Sequence, residues 1–185
     1  MAMKRLFYSA LLALGFLFFI TSCTEEQDFS QIDDLSVTPT LASGLFYFES
    51  DEETINEGGA LNTFYFREIN FDAFNQQYVE EHLLEGTITY EIENTTSKQL
   101  RISIGFVDDA GNILDTEIFE IDEDPSGVLS REVFYGPGGK SLDILASTSS
   151  LMISANNLGD GTSVSLVEDP KVIVRSGAEF LFQLQ

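Results

Sequence analysis

From residue 44 onward, apolar and polar positions alternate along most of the chain. Ile88, Tyr90 and Ile92 alternate with Thr87, Thr89, Glu91 and Glu93, and Leu100, Ile102, Ile104 and Phe106 with Arg101, Ser103 and Gly105. A period of two places one side-chain set on a buried face and the other in water, which is the signature of half-buried strands. Three such runs, 85–94, 100–107 and 113–121, separated by turns at 94–98 and at Asp108-Asp109-Ala110-Gly111-Asn112, predict a meander, with Gly111 suited to positive φ. A meander with one apolar face needs a cover. Further short segments at 127–135, 141–145, 150–155, 162–167, 172–174 and 179–184 supply a second sheet. Upstream, 45–48 and 62–69 read as strands, the second with Phe64 and Phe66 on one face and Tyr65 on the other. The expected fold is all-β: an antiparallel two-sheet sandwich of immunoglobulin-like architecture, with a closed barrel as the alternative.

One segment departs from this period. Phe71, Phe74, Tyr78 and His82 fall on one helical face, with Asp72 as a candidate N-cap. The pattern predicts at most one short helix near 72–82. A competing reading ends the helix at 77 and starts a strand near Tyr78.

The first 43 residues have a different pattern. Met1–Arg5 is basic, Leu6–Ile20 is almost wholly apolar, and Ile20-Thr21-Ser22-Cys23 leads into Thr24-Glu25-Glu26-Gln27-Asp28. The apolar run is short for a span of about 20 residues and is followed by acids, so it reads as a signal peptide. Ile20-Thr21-Ser22-Cys23 resembles the bacterial lipobox. That resemblance implies cleavage before Cys23 and acylation of its sulfur, with several chains giving stable anchoring. Glu25, Glu26 and Asp28 resemble the surface-export signal of lipoproteins from Bacteroidota, flavobacteria in particular, and the tether through Thr38-Pro39-Thr40-Leu41 is similar to the start of lipoproteins from that group. The resemblance implies an outer-membrane protein held at the cell surface. The expected organisation is a signal peptide at 1–22, an acidic tether at 23–43 and a single β domain at 44–185.

Charge narrows the partners. The chain has 9 Lys and Arg against 31 Asp and Glu. Lys4 and Arg5 belong to the leader, so the part after it carries 7 basic and 31 acidic residues. Such a surface repels phosphate backbones, and nucleic acid is not an expected partner. The membrane, through acyl chains on Cys23, is one expected partner, and outer-membrane proteins or an extracellular ligand are others. Sixteen Phe supply bulky core material, and Trp is absent.

Candidate chemistry is sparse. His82 is the only histidine and has no ligand-spaced companion. Gly136-Pro137-Gly138-Gly139-Lys140-Ser141 ends like a phosphate loop, but lacks its glycine spacing and reads as a turn. No serine-nucleophile motif is present, and no enzyme activity is expected. No cofactor is required. Calcium is the one cation worth weighing, at oxygen-rich loops carrying Asp108, Asp109, Asn112, Asp122, Asp124 and Asp160, although each also suits an ordinary turn. Tyr47, Tyr65 and Tyr135 are the candidates for a sugar-stacking row. The expected function is a lipid-anchored, non-enzymatic binding or assembly module. The alternative is a glycan- or ligand-binding lipoprotein for nutrient uptake, and a small hydrolase ranks last.

Overall fold

A computed structural model describes residues 37–71, 77–123 and 127–184. Eight strands form the fold: β1 (Thr40–Asp51), β2 (Thr63–Asn70), β3 (Leu83–Asn94), β4 (Leu100–Val107), β5 (Ile113–Ile121), β6 (Val128–Tyr135), β7 (Ser150–Asn157) and β8 (Lys171–Phe182). Three short helices intervene: α1 (Glu52–Gly58), α2 (Gln77–His82) and α3 (Leu142–Ala146). The strands make two four-stranded antiparallel sheets, in the orders β1-β8-β3-β6 and β2-β7-β4-β5. The two-sheet sandwich is as expected, and it does not close into a barrel. Its connectivity is a jelly roll. Immunoglobulin order pairs several sequence neighbours, whereas here only β4 and β5 are both consecutive and paired.

The meander is therefore corrected. β3 belongs to one sheet and the β4–β5 hairpin to the other. Alternation reports which face of a strand is buried, not which strand lies beside it. Asn94 holds the corner between the sheets. Fully buried, it donates to the carbonyls of Lys98 and Asp122 and accepts from the N–H and hydroxyl of Thr96. The interior is apolar on both inner faces, with Ile88 and Ile92 of β3 against Ile102, Ile104 and Phe106 of β4, all shut off from water.

Four local expectations also change. A bulge between Thr63 and Tyr65 shifts β2 by one residue. Phe66 consequently faces solvent, while Tyr65 stacks on Phe48 at 4.1 Å. Segment 141–145 is helix α3 rather than a strand: Ser141 caps it, accepting from the Asp143 N–H, and Leu145 is buried. The two segments 172–174 and 179–184 fuse into the single strand β8, because pairing to β1 and β3 on either side carries the chain straight through Ser176-Gly177. The helix expected at 72–82 is described at Gln77–His82, where Val79 packs on the core, and β3 begins only at Leu83. Residues 72–76 lie outside the described residues. With α1 and α3 the described helices number three, against the one expected.

At the open side of the sandwich, edge strands β5 and β6 face each other across the sheets. Glu117 ties them, receiving Arg131 at 3.1 Å and Lys140. Lys140 also reaches Asp115, and the Arg131 guanidinium lies 3.7 Å from the Phe119 ring centre. Behind this cluster Tyr90 and Tyr135 are fully buried, and their hydroxyls have no partner among the described residues.

Candidate functional site

The chain enters the sandwich at Thr40, three residues after Val37 bridges Leu184. Both ends of the described fold therefore share one end of the sandwich, with the connections 70–83, 107–113 and 135–150. The connections 51–63, 94–100, 121–128 and 157–171 lie at the other, here named the α1 end. An eight-residue strand such as β4 separates the ends by roughly 25 Å.

Helix α1 begins where β1 stops. The Asp51 carboxylate accepts from the Thr54 N–H at 2.7 Å and caps it, and Gly59, at φ 82, closes it. Its inner face buries Ile55 and Glu52. The Glu52 carboxylate accepts from the Ser97 N–H at 2.5 Å and from the Ser165 N–H at 2.8 Å. Burial alone pushes this acid up. The two N–H donors and the nearby Lys98 charge outweigh that, and hold it below the usual carboxylate range.

Lys98, with no exposed side-chain surface, donates to Asp160 Oδ1 at 2.9 Å and to the Ser163 carbonyl at 2.7 Å. Hydrogen bonds from Ser163 and Thr162, with the Lys98 ammonium, hold the Asp160 carboxyl far below the ordinary range. Asn157 Nδ2 donates to the Asp160 carbonyl, Asn56 Nδ2 to the Ser163 carbonyl, and Ser165 Oγ to the Thr95 carbonyl. Gly161 fits closely against the α1–β2 turn, since a Cβ there would come within 3.2 Å of Gly59 Cα. Thirteen residues without regular structure between β7 and β8 are thus fastened to two neighbouring connections, 51–63 and 94–100.

That fastening inverts the sequence pattern. Thr162–Val167 alternates as a strand would, so Val164 and Leu166 are expected inside. The structure makes no strand there. It turns Ser165 partly inward, keeps Ser163 exposed and bonded to Asp160, and leaves Val164 71% and Leu166 fully exposed, with Val167 also outside. Leu61, in the adjoining turn at φ 56, is exposed as well. Between α1 and this segment lies a cleft of about 610 Å³, lined by Asp51, Glu52, Glu53, Glu57, Asp169 and Val164 among others. The cleft is acidic with an apolar rim. It contains no nucleophile–base pair, and its chemistry is attraction of cationic and apolar groups. The signal for it was the alternation at 162–167 itself, which pointed to the right side chains and to the wrong side of the backbone.

The other candidate residues disperse. Asp108, Asp109 and Asn112 lie at the terminal end, Asp122 and Asp160 at the α1 end, so the oxygen-rich loops do not converge. Asp108 serves its own turn, accepting from the N–H groups of Ala110 and Asn112 and from the Asn112 side chain. Gly111 has φ 81, as expected. A cleft of about 490 Å³ brings Asp108 and Asp109 beside Glu68 and Asn70. No group of three or more His, Cys, Asp or Glu among the described residues is arranged to hold a metal. Tyr47 is exposed on β1, Tyr65 is half-buried on β2 and Tyr135 is buried on β6, so they form no row. Ile20, Thr21, Ser22, Cys23, Glu25, Glu26, Asp28 and Asp124 lie outside the described residues. No helix among the described residues is long and apolar enough to cross a membrane.

Comparison with protein families and with curated proteins finds no match. Among solved structures the chain is similar to the VP2 subviral particle protein of infectious bursal disease virus (TM-score 0.38, 11% identity), over 80% of this chain and 33% of that one. It thus spans about a third of that relative's length. It is also similar to a Desmodium yellow mottle tymovirus chain (TM-score 0.37, 8% identity, 82% and 89% covered) and to the disulfide-linked pili of Bacillus endospore appendages (TM-score 0.35, 9% identity, 81% and 89% covered). The jelly-roll assignment rests on the strand order and not on these likenesses.

Proposed function

We propose that the chain is a lipid-anchored lipoprotein of the outer membrane, held at the cell surface as a non-enzymatic binding or assembly module. Cys23 carries the acyl chains in this reading, and Glu25, Glu26 and Asp28 mark export to the outer face. The observation that carries it is one of placement. Residues 37–40 join the fold at the terminal end, and the inverted segment at 163–167 sits at the opposite one. In this reading the chain anchored at Cys23 meets the fold through residue 37 at the terminal end, and the α1 end is left for a partner. Glycan capture is the weaker reading, since only Tyr47 of its three aromatics is well exposed. The test is metabolic labelling with an alkyne palmitate analogue in cells that express the chain. Labelling of the native chain and none of Cys23→Ala is expected, and equal labelling of both defeats the anchor.

A further inference from the structure

We infer that the α1 end docks a protein segment carrying basic side chains around an apolar one. The inference deepens the surface-module reading by naming a partner class. Exposed apolar side chains taken singly need no explanation. Those on the 157–171 connection and the α1–β2 turn are different in two respects. Val164, Leu166 and Val167 come from one short segment, and Leu61 from the turn against which Gly161 packs. The segment is held outward by groups that are expensive to bury: Lys98 with no exposed surface and Glu52 at 3%. A connection that merely spanned β7 and β8 would turn its valine and leucine in, at no such cost. Departures from local patterning concentrate at functional or strained sites.

Charge selects the occupant. Asp51, Glu53, Glu57 and Asp169 line the cleft beside Val164. The cations at this end are already engaged, Lys98 by Asp160 and Lys171 by Asp169. An anionic lipid surface or a nucleic acid meets unbalanced like charge there. A lysine or arginine entering the cleft meets several carboxylates, and an apolar neighbour on the same segment covers Leu166 and Val164. The acids then steer encounter, and the apolar contact governs residence.

The probe is a twelve-residue peptide with a central benzophenone-bearing apolar position flanked by Lys and Arg, and a twin with Glu in place of each cation. The full chain is purified in mild detergent. Photo-crosslinks are expected at 51–61 and 160–170, and binding that weakens as salt rises. Val164→Ser with Leu166→Ser weakens binding about tenfold or more. Glu53→Gln with Glu57→Gln weakens it and flattens the salt dependence. Ile113→Ser, an exposed apolar position at the opposite end, leaves it unchanged. Crosslinks scattered over the acidic faces, equal affinity for the acidic twin, an unaffected Val164/Leu166 variant, or no binding each overturn the inference. Intact mass of the same preparation reports acylation at Cys23 separately. An unacylated chain with crosslinks at 160–170 removes the anchor and keeps the docking surface. An acylated chain with scattered crosslinks does the reverse.

Discussion

Glu52→Gln tests whether a buried carboxylate is what fastens the α1 end. Glu52 uses both oxygens, one for the Ser97 N–H and one for the Ser165 N–H. Glutamine keeps a single acceptor oxygen and turns an NH₂ toward the other N–H. One charge-assisted hydrogen bond, worth about 1.5–3 kcal/mol, is lost, and two donors are left facing each other in a site nearly closed to water. The cost is about 2–3 kcal/mol, which lowers Tm by about 5–10 °C for a domain of this size. Urea unfolding followed by far-UV circular dichroism measures it. The effect has a pH signature. The folded protein holds this carboxyl below its ordinary pKa, so its stabilisation is complete above a pH of about 4.5 and is lost as pH falls through the folded value. Glutamine does not titrate, so the gap between the two proteins stays constant at neutral pH and closes in acid. Hydrogen exchange adds a local reading: amides of 160–167 exchange faster in the variant, and those of β4 do not. An unchanged Tm with unchanged exchange at 160–167 refutes the reasoning, as does a gap that persists undiminished at pH 3.

Other substitutions have distinct outcomes. Val164→Ser with Leu166→Ser stays within about 0.5 kcal/mol of the native protein in urea unfolding, because neither side chain is buried on folding, whereas Ile102→Ala costs about 2–5 kcal/mol. Tyr90→Phe removes a buried hydroxyl without a partner, and the unfolding free energy from urea titration is expected to hold or to rise by up to about 1 kcal/mol, a result opposite to the usual core mutation. Burial pushes the Tyr90 and Tyr135 phenols well above the ordinary range, so absorbance titration at alkaline pH shows both ionising only as the protein unfolds. Glu117→Ala unties the β5 and β6 edges and lowers stability by about 1–2 kcal/mol, since Arg131 and Lys140 are partly exposed and regain water. Calcium in excess leaves Tm unchanged, because Asp108 and Asp160 are engaged by their own loops and a ligand of the native state would have to raise it.

The strands were legible because Ile88, Tyr90 and Ile92, or Leu100, Ile102 and Ile104, alternate cleanly over a two-sided sheet. Which sheet each joins was not. Both inner faces of a sandwich are apolar, and nothing in β3 itself distinguishes β8 from β4 as a neighbour. Phe66 was misplaced because a one-residue bulge reverses every side chain after it and leaves no mark in composition. Helix α1 was hidden because Asp51-Glu52-Glu53 reads as a charged strand cap, and its single inward apolar residue, Ile55, makes no period. At the site, Asp51, Glu53 and Glu57 were visible only as surface charge. The role of Lys98 as a buried anchor could not be read, since its partners Asp160 and Ser163 lie more than sixty residues away. Val164 and Leu166 were read as core for the reason that makes them informative now: their spacing is a strand's, and long-range hydrogen bonds override it.

One thiol makes the central claim directly measurable. Cys23 is the chain's only cysteine, so in Leu166→Cys an acylated protein presents a single free thiol, at the tip of the α1 end. Intact cells expressing each form are treated with a membrane-impermeant maleimide, with and without lysis. The account predicts labelling of Leu166→Cys in intact cells and none of the native chain in either condition. Labelling of Leu166→Cys only after lysis, or labelling of the native chain at Cys23, contradicts it.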